Sequence, residues 1–238
     1  MKHVWSITKK ELRTYFNSPI AYVFIVVFLM VGSWMFFRSF FSVGQASMRS
    51  YFFLLPWYFL FLIPAVTMRL WSEEKKLKTI EVLLTWPVRD WEVVLGKFLA
   101  SVMFLAVALI FSISIPITIG RIGSLDWGIV AASYIGSLFL ASAFLAMGLW
   151  VSSLTENQIV AFILAVVLSF VAYIIGEPLV LDILPQNLVP IFNHLGIGSH
   201  HESISRGVID TRDVIYYLSL IFFFLFLNVR NLEKRKAG

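Results

Sequence analysis

The chain has 238 residues, 59% of them hydrophobic and only 14% charged, with mean hydropathy +0.85 and a formal charge of +5. That balance excludes a soluble domain of this length. The absence of cysteine excludes disulfides and thiolate metal sites, and no basic soluble region exists to carry a nucleic-acid site.

Residues 1–18 are predicted to form an interfacial helix. Trp5, Leu12 and Phe16 recur at helical spacing, with Val4 and Tyr15 close by and Lys2, Lys9 and Arg13 beside that face. This is the pattern of a helix lying in the headgroup plane. Polar and charged positions run to Ser18 and no small-residue cleavage pattern follows the first apolar stretch, so a cleavable signal peptide is not expected. Asn17-Ser18-Pro19 stops the helix and turns the chain into a first span.

Six spans are expected, because a hydrocarbon core about 30 Å thick takes about 20 apolar residues per crossing. They run from Pro19 to Phe37, Tyr51 to Met68, Phe98 to Gly120, Trp127 to Leu154, Gln158 to Gly176, and Val214 to Val229, the last being the shortest and expected to borrow residues from its flanks. Backbone groups cannot go unpaired in lipid, and no period-2 alternation supports a barrel, so the spans are helices. Pro56, Pro64 and Pro116 predict bends. The small residues of the fourth span, among them Gly136, Ser137, Ala141 and Gly148, predict close helix contacts. The short connection at Thr155-Glu156-Asn157 makes the fourth and fifth spans an antiparallel pair.

Between the second and third spans lies a charged break, residues 69–97. Ser72 can cap a helix that starts at Glu73, with Glu73 and Glu74 in its first turn. Leu77, Ile80 and Leu84 follow on one face with Leu83 beside them, Pro87 ends the helix, and Asp90 begins the next. By pattern alone this is either an ordinary helix on the inner leaflet or a docking element for a soluble partner. The segment 177–213 between the fifth and sixth spans mixes prolines with apolar residues, which predicts short helices at the outer interface. Its end is dense in polar groups: His201, Glu202, Arg206, Asp210, Arg212 and Asp213. These either pair among themselves, as Arg206 with Asp210 at i, i+4, or form a docking face or outer gate.

Fourteen Lys and Arg fall on the side of the termini and residues 69–97, against five (Arg38, Arg49, Arg121, Arg206 and Arg212) on the other. The positive-inside rule places both termini in the cytoplasm. No metal site is expected, since His194, His200, His201 and Glu202 lack an ordered ligand spacing. No span interior holds His, Asp or Glu, which argues against an intramembrane enzyme or an ion-coupled carrier. No Gly-rich phosphate loop is present, so neither ATP nor Mg is bound by this chain.

The run Thr79-Ile80-Glu81-Val82-Leu83-Leu84-Thr85-Trp86-Pro87-Val88, followed by Val94-Leu95-Gly96-Lys97, resembles the coupling segment of ABC type-2 transporter permeases. Ile63-Pro64-Ala65-Val66-Thr67-Met68-Arg69 and the run His201 to Asp213 make the whole chain similar to the permease subunit associated with gliding motility. One departure is Lys78, where the family commonly places Gly before the Thr, leaving the helix less easily broken there. The resemblance implies one permease transmembrane domain, 1–238, in a bacterial inner membrane. A second permease copy or homologous subunit completes the pathway. ATP and Mg sit on separate ATPase subunits that dock on Glu73, Glu74, Leu77, Thr79, Ile80, Glu81, Leu83, Leu84 and Pro87. It also implies a partner with an extracytoplasmic domain. The expected function is ATP-driven export or outer-leaflet handling of a substrate, with mechanical transmission to that outer partner as the alternative.

Overall fold

The computed structural model describes residues 2–43, 47–79, 88–208 and 210–237. All regular structure among them is helical. In chain order the helices are α1 (Lys2–Asn17), α2 (Pro19–Val43), α3 (Arg49–Thr67), α4 (Arg69–Lys76), α5 (Asp90–Ser112) and α6 (Ser114–Ile122). There follow α7 (Trp127–Leu154), α8 (Gln158–Ile174), α9 (Pro178–Leu181), α10 (Val189–Leu195), α11 (Ile197–Ser205) and α12 (Thr211–Ala237).

Five segments are long and apolar enough to cross a membrane: Pro19–Phe41, Arg49–Lys76, Asp90–Ile122, Trp127–Leu154 and Thr211–Arg235. The chain is a multi-pass membrane protein. The expected fifth span, α8, is an apolar helix of 17 residues, about 25 Å at the helical rise, and falls short of the length of those five. The last expected span draws on its flanks, as expected. Thr211–Arg235 borrows polar residues at both ends and reaches 25 residues.

Of the three prolines, Pro116 acts as expected. Pro116 has no N–H to offer the carbonyl of Ser112, and the third span breaks at Ile113 into α5 and α6. Pro64 lies one turn before the break at Met68, where α3 gives way to α4.

At the centre stands α7, which touches α3, α4, α5, α8, α11 and α12. Its small residues permit this. Gly148 faces Thr67, and Gly136 faces Ile204 of α11; a Cβ on Gly136 would lie 2.9 Å from the Ile204 Cβ. Asp126 caps α7 by accepting from the amides of Gly128 and Ile129 at 2.9 and 3.2 Å, and Asn157 caps α8 in the same way.

One end of the bundle, the proximal end, gathers α1, α4, the start of α5 and the C-terminal ends of α7 and α12. The opposite, distal end carries α9 to α11. On α1 the expected apolar face is buried except at Trp5. Trp5 is exposed at 59%, while Val4 and Thr8 are buried and Leu12, Tyr15 and Phe16 pack on the core. Most of that face lies on α5.

Candidate functional site

The proximal end is a joint between α1, α4, α5 and α7. Gly96 brings α1 onto α5, since a Cβ there would stand 2.7 Å from the Ile7 Cγ2. Thr8 then donates to the carbonyls of Val4 at 2.9 Å and Gly96 at 3.2 Å. The Ser101 hydroxyl donates to the Lys97 carbonyl, which leaves Tyr15 as donor to Ser101 at 2.9 Å. Burial pushes the Tyr15 phenol well above its ordinary pKa, which keeps that proton in place.

Lys97 is the centre of the joint. Its side chain is 2% exposed and its Nζ lies 2.7 Å from Glu74 of α4 and 3.3 Å from Glu11 of α1. It also stands 5.0 Å from the centre of the Trp71 ring. A charge this deep persists only when paired, and here one ammonium ties three helices.

A second clamp holds α4 on α7. The Ser152 hydroxyl accepts from the amides of Trp71 at 3.1 Å and Ser72 at 3.2 Å, and donates to the Met68 carbonyl at 3.0 Å. These are backbone groups at the break between α3 and α4, so Ser152 completes a ladder the break interrupts. Lys75 donates to the Ser153 carbonyl, which also receives the Asn231 amide at 2.7 Å. Arg235 reaches Glu156 at 3.3 Å.

The predicted coupling residues divide. Glu74 sits in the joint, Glu73 lines the cavity beside it, Leu77 is exposed at 64%, and Thr79 is exposed and bonds the Glu74 carbonyl. Ile80, Glu81, Leu83, Leu84 and Pro87 lie outside the described residues. The expectation that Ser72 caps a helix is corrected: α4 begins at Arg69, and the Ser72 hydroxyl bonds back to the Met68 carbonyl. The expectation about Lys78 is also corrected. Lys78 adopts φ 57°, the left-handed region, and α4 ends at Lys76. The chain turns there despite the side chain, at a cost of about 1 kcal/mol.

The predicted distal residues divide too. His201 and Asp213 are buried, while Glu202, Arg206, Asp210 and Arg212 are exposed. The His201 Nε2–H donates to the Phe52 carbonyl at 3.0 Å, and burial holds its imidazole below the ordinary pKa against that bond. Asp213 accepts from Ser203 at 2.6 Å and His200 at 2.7 Å. Arg206 pairs with Glu202, not with the Asp210 expected. Asp210 instead accepts the Arg212 amide at 3.0 Å, which lowers its carboxyl pKa.

Sequence reasoning missed Glu11, Ser152 and the central role of Lys97. A signal existed for two of them. Glu11 is the sole acid in the basic segment 1–18, and Lys97 is the last charge before a long apolar run. Ser152 gave none, because a serine in an apolar helix ordinarily bonds its own backbone.

A model of the ABC-2 family transporter protein matches residues 5–202, most of the chain and all of the joint except the α12 contacts. No curated protein matches. The chain belongs to the ABC-2 family, whose membrane subunits are permeases that work with an ABC ATPase.

Proposed function

From that membership we propose that the chain is the permease subunit of an ATP-driven exporter in a bacterial inner membrane. It crosses six times with both termini in the cytoplasm, and Mg-ATP is hydrolysed on a separate ATPase that docks on residues 73–87. A second permease copy or homologous subunit completes the pathway. The similarity to the gliding-motility permease is part of this reading.

The observation that carries it is the double fixation of α4. Glu74 is tied through Lys97 to α1 and α5, and Trp71 and Ser72 are tied through Ser152 to α7. A push on residues 77–89 therefore reaches four helices at once. Glu81→Lys is expected to weaken capture of the ATPase by about 1–3 kcal/mol, the scale of a charge reversed at a contact. Ser152→Ala should leave capture intact and lower substrate-stimulated hydrolysis. Pull-down and hydrolysis assays separate the two. Unchanged stimulation in Ser152→Ala removes the clamp from the relay.

The sixth crossing is assigned to α8. Like α7, it touches α4 at the proximal end and α11 at the distal end. A cysteine at Gln186 should then react with an impermeant thiol reagent in intact cells, and one at Lys76 only after the membrane is opened. The reverse labelling would invert the topology.

A second reading, motion passed to an extracytoplasmic partner without a cargo, is favoured by the exposed charges Glu202, Arg206, Asp210 and Arg212 above a firmly packed distal end. Replacing Arg206 and Arg212 by Gln should cost capture of that partner while thermal stability holds. Loss of stability alone would end the docking role.

A further inference from the structure

Pro56 lies inside α3 and has no N–H to offer the carbonyl of Phe52, yet α3 runs unbroken from Arg49 to Thr67. A buried carbonyl left without a donor is destabilising. Here the donor comes from α11, far along the chain. The His201 Nε2–H meets the Phe52 oxygen at 3.0 Å. The His201 side chain is buried, and its Nδ1 has no hydrogen-bond partner among the described residues. The ring therefore stands as the neutral Nε2–H tautomer, one donor for one acceptor.

Among the described residues no other hydrogen bond joins α3 to α11. The two helices have different attachments. α11 rests on α7, where Gly136 takes up Ile204 and the Ser133 hydroxyl donates to the Ile204 carbonyl at 3.3 Å. α3 continues directly into α4, and together they make one apolar segment, Arg49–Lys76. That segment is the covalent route from the proximal joint to Phe52 at the distal end. Ser205 stands one turn after His201 on the same face of α11. It is buried, and with Phe52 it lines a distal cleft.

We infer that His201 is a positioning residue that latches α11 to α3 through the carbonyl released by Pro56, so that the distal helix follows α3 when α4 is pushed. The push belongs to the function proposed above; the latch does not depend on it.

The test uses the full chain with its captured ATPase in nanodiscs. Ser205→Cys places a single thiol in a cysteine-free chain, and an impermeant thiol reagent reads its access. With His201 in place, labelling should be slow both with and without Mg-ATP. In His201→Leu, Mg-ATP should speed labelling severalfold, because α3 leaves α11 behind. His201→Gln keeps an N–H donor and should behave as wild type. Pro56→Ala supplies an amide for the Phe52 carbonyl. His201→Leu should therefore lower the melting temperature of the chain alone when Pro56 is present, and by much less in Pro56→Ala. Labelling of the double variant should still respond to Mg-ATP. A purely structural role for His201 gives the opposite result, with the response vanishing as the melting temperature recovers. Labelling that Mg-ATP speeds in the presence of His201 would overturn the latch. So would slow labelling of His201→Leu while the captured ATPase hydrolyses ATP, or equal melting losses in the two backgrounds. Failure to capture an ATPase defeats the ATP-driven reading instead, and the melting cycle on the chain alone still decides the bond between His201 and Phe52.

Discussion

Lys97→Met is expected to loosen the proximal end by about 3–5 kcal/mol, the usual cost of removing one partner from a buried ion pair. The lysine side chain is 2% exposed, and its loss leaves Glu74 and Glu11 facing the same space without a counter-charge. Methionine keeps most of the aliphatic length, so lost packing contributes little. The penalty is therefore the two stranded carboxylates. Adding Glu11→Gln and Glu74→Gln to Lys97→Met should restore most of the stability, because a neutral set of similar volume no longer carries buried charge. Thermal unfolding of the three proteins in one detergent measures this. If the single and triple variants melt together below wild type, the stranded carboxylates are not the source of the penalty; if Lys97→Met melts with wild type, the ion-pair joint does not stabilise the fold.

Much of the architecture is legible in the sequence, and the reasons are specific. Trp127–Leu154 is an uninterrupted apolar run bounded by Asp126 and Asn157, and the helices begin directly after those caps. Pro116 announces its break because a missing N–H acts locally. The buried face of α1 is not legible in the same way. Hydrophobic periodicity points at Trp5 and Leu12, but the helix turns Thr8 and Glu11 inward as well. Glu11 finds its counter-charge in Lys97, 86 residues away along the chain, and Thr8 bonds Gly96, 88 residues away, as well as Val4 of its own helix. Periodicity cannot register a partner at that separation. The same limit hides the pairing of Arg206 with Glu202 in place of Asp210. Both carboxylates stand at i±4, and the helix ends at Ser205, so only Glu202 shares the helix with the arginine's turn.

The joint and the break at Met68 together tie α4 to its neighbours. An isolated helix of eight residues has little stability of its own. Its geometry is imposed by Ser152, Lys97 and the buried Trp71. What displaces α4 must therefore displace α7, α1 and α5 or break those bonds. That is the mechanical property the proposed coupling element requires.

Gly148→Val is expected to destabilise the chain by about 1–3 kcal/mol, the usual cost of overpacking a filled site. At an unconstrained helix position, replacing glycine by a residue with a Cβ gains up to about 1 kcal/mol. Here the sign reverses. A Cβ on Gly148 would stand 2.9 Å from the Thr67 Cβ, with the Thr67 Oγ1 closer still. Thr67 is fully buried at the end of α3, one residue before the break, so it cannot swing aside. The strain must separate α7 from α3 at the point where Ser152 holds α4. Stability and coupling should fall together while the docking residues stay intact. Gly148→Ala made in wild type and in Thr67→Ala isolates the contact. Thr67→Ala removes Oγ1 and Cγ2 but keeps the Cβ, so relief should be partial. A coupling energy of about 0.5–3 kcal/mol is expected between two residues that touch. Thermal unfolding of the four proteins supplies the cycle. A rise in melting temperature on Gly148→Ala alone would show that α3 and α7 have room to spare, and the close contact would then have no part in passing motion from α4 to the bundle.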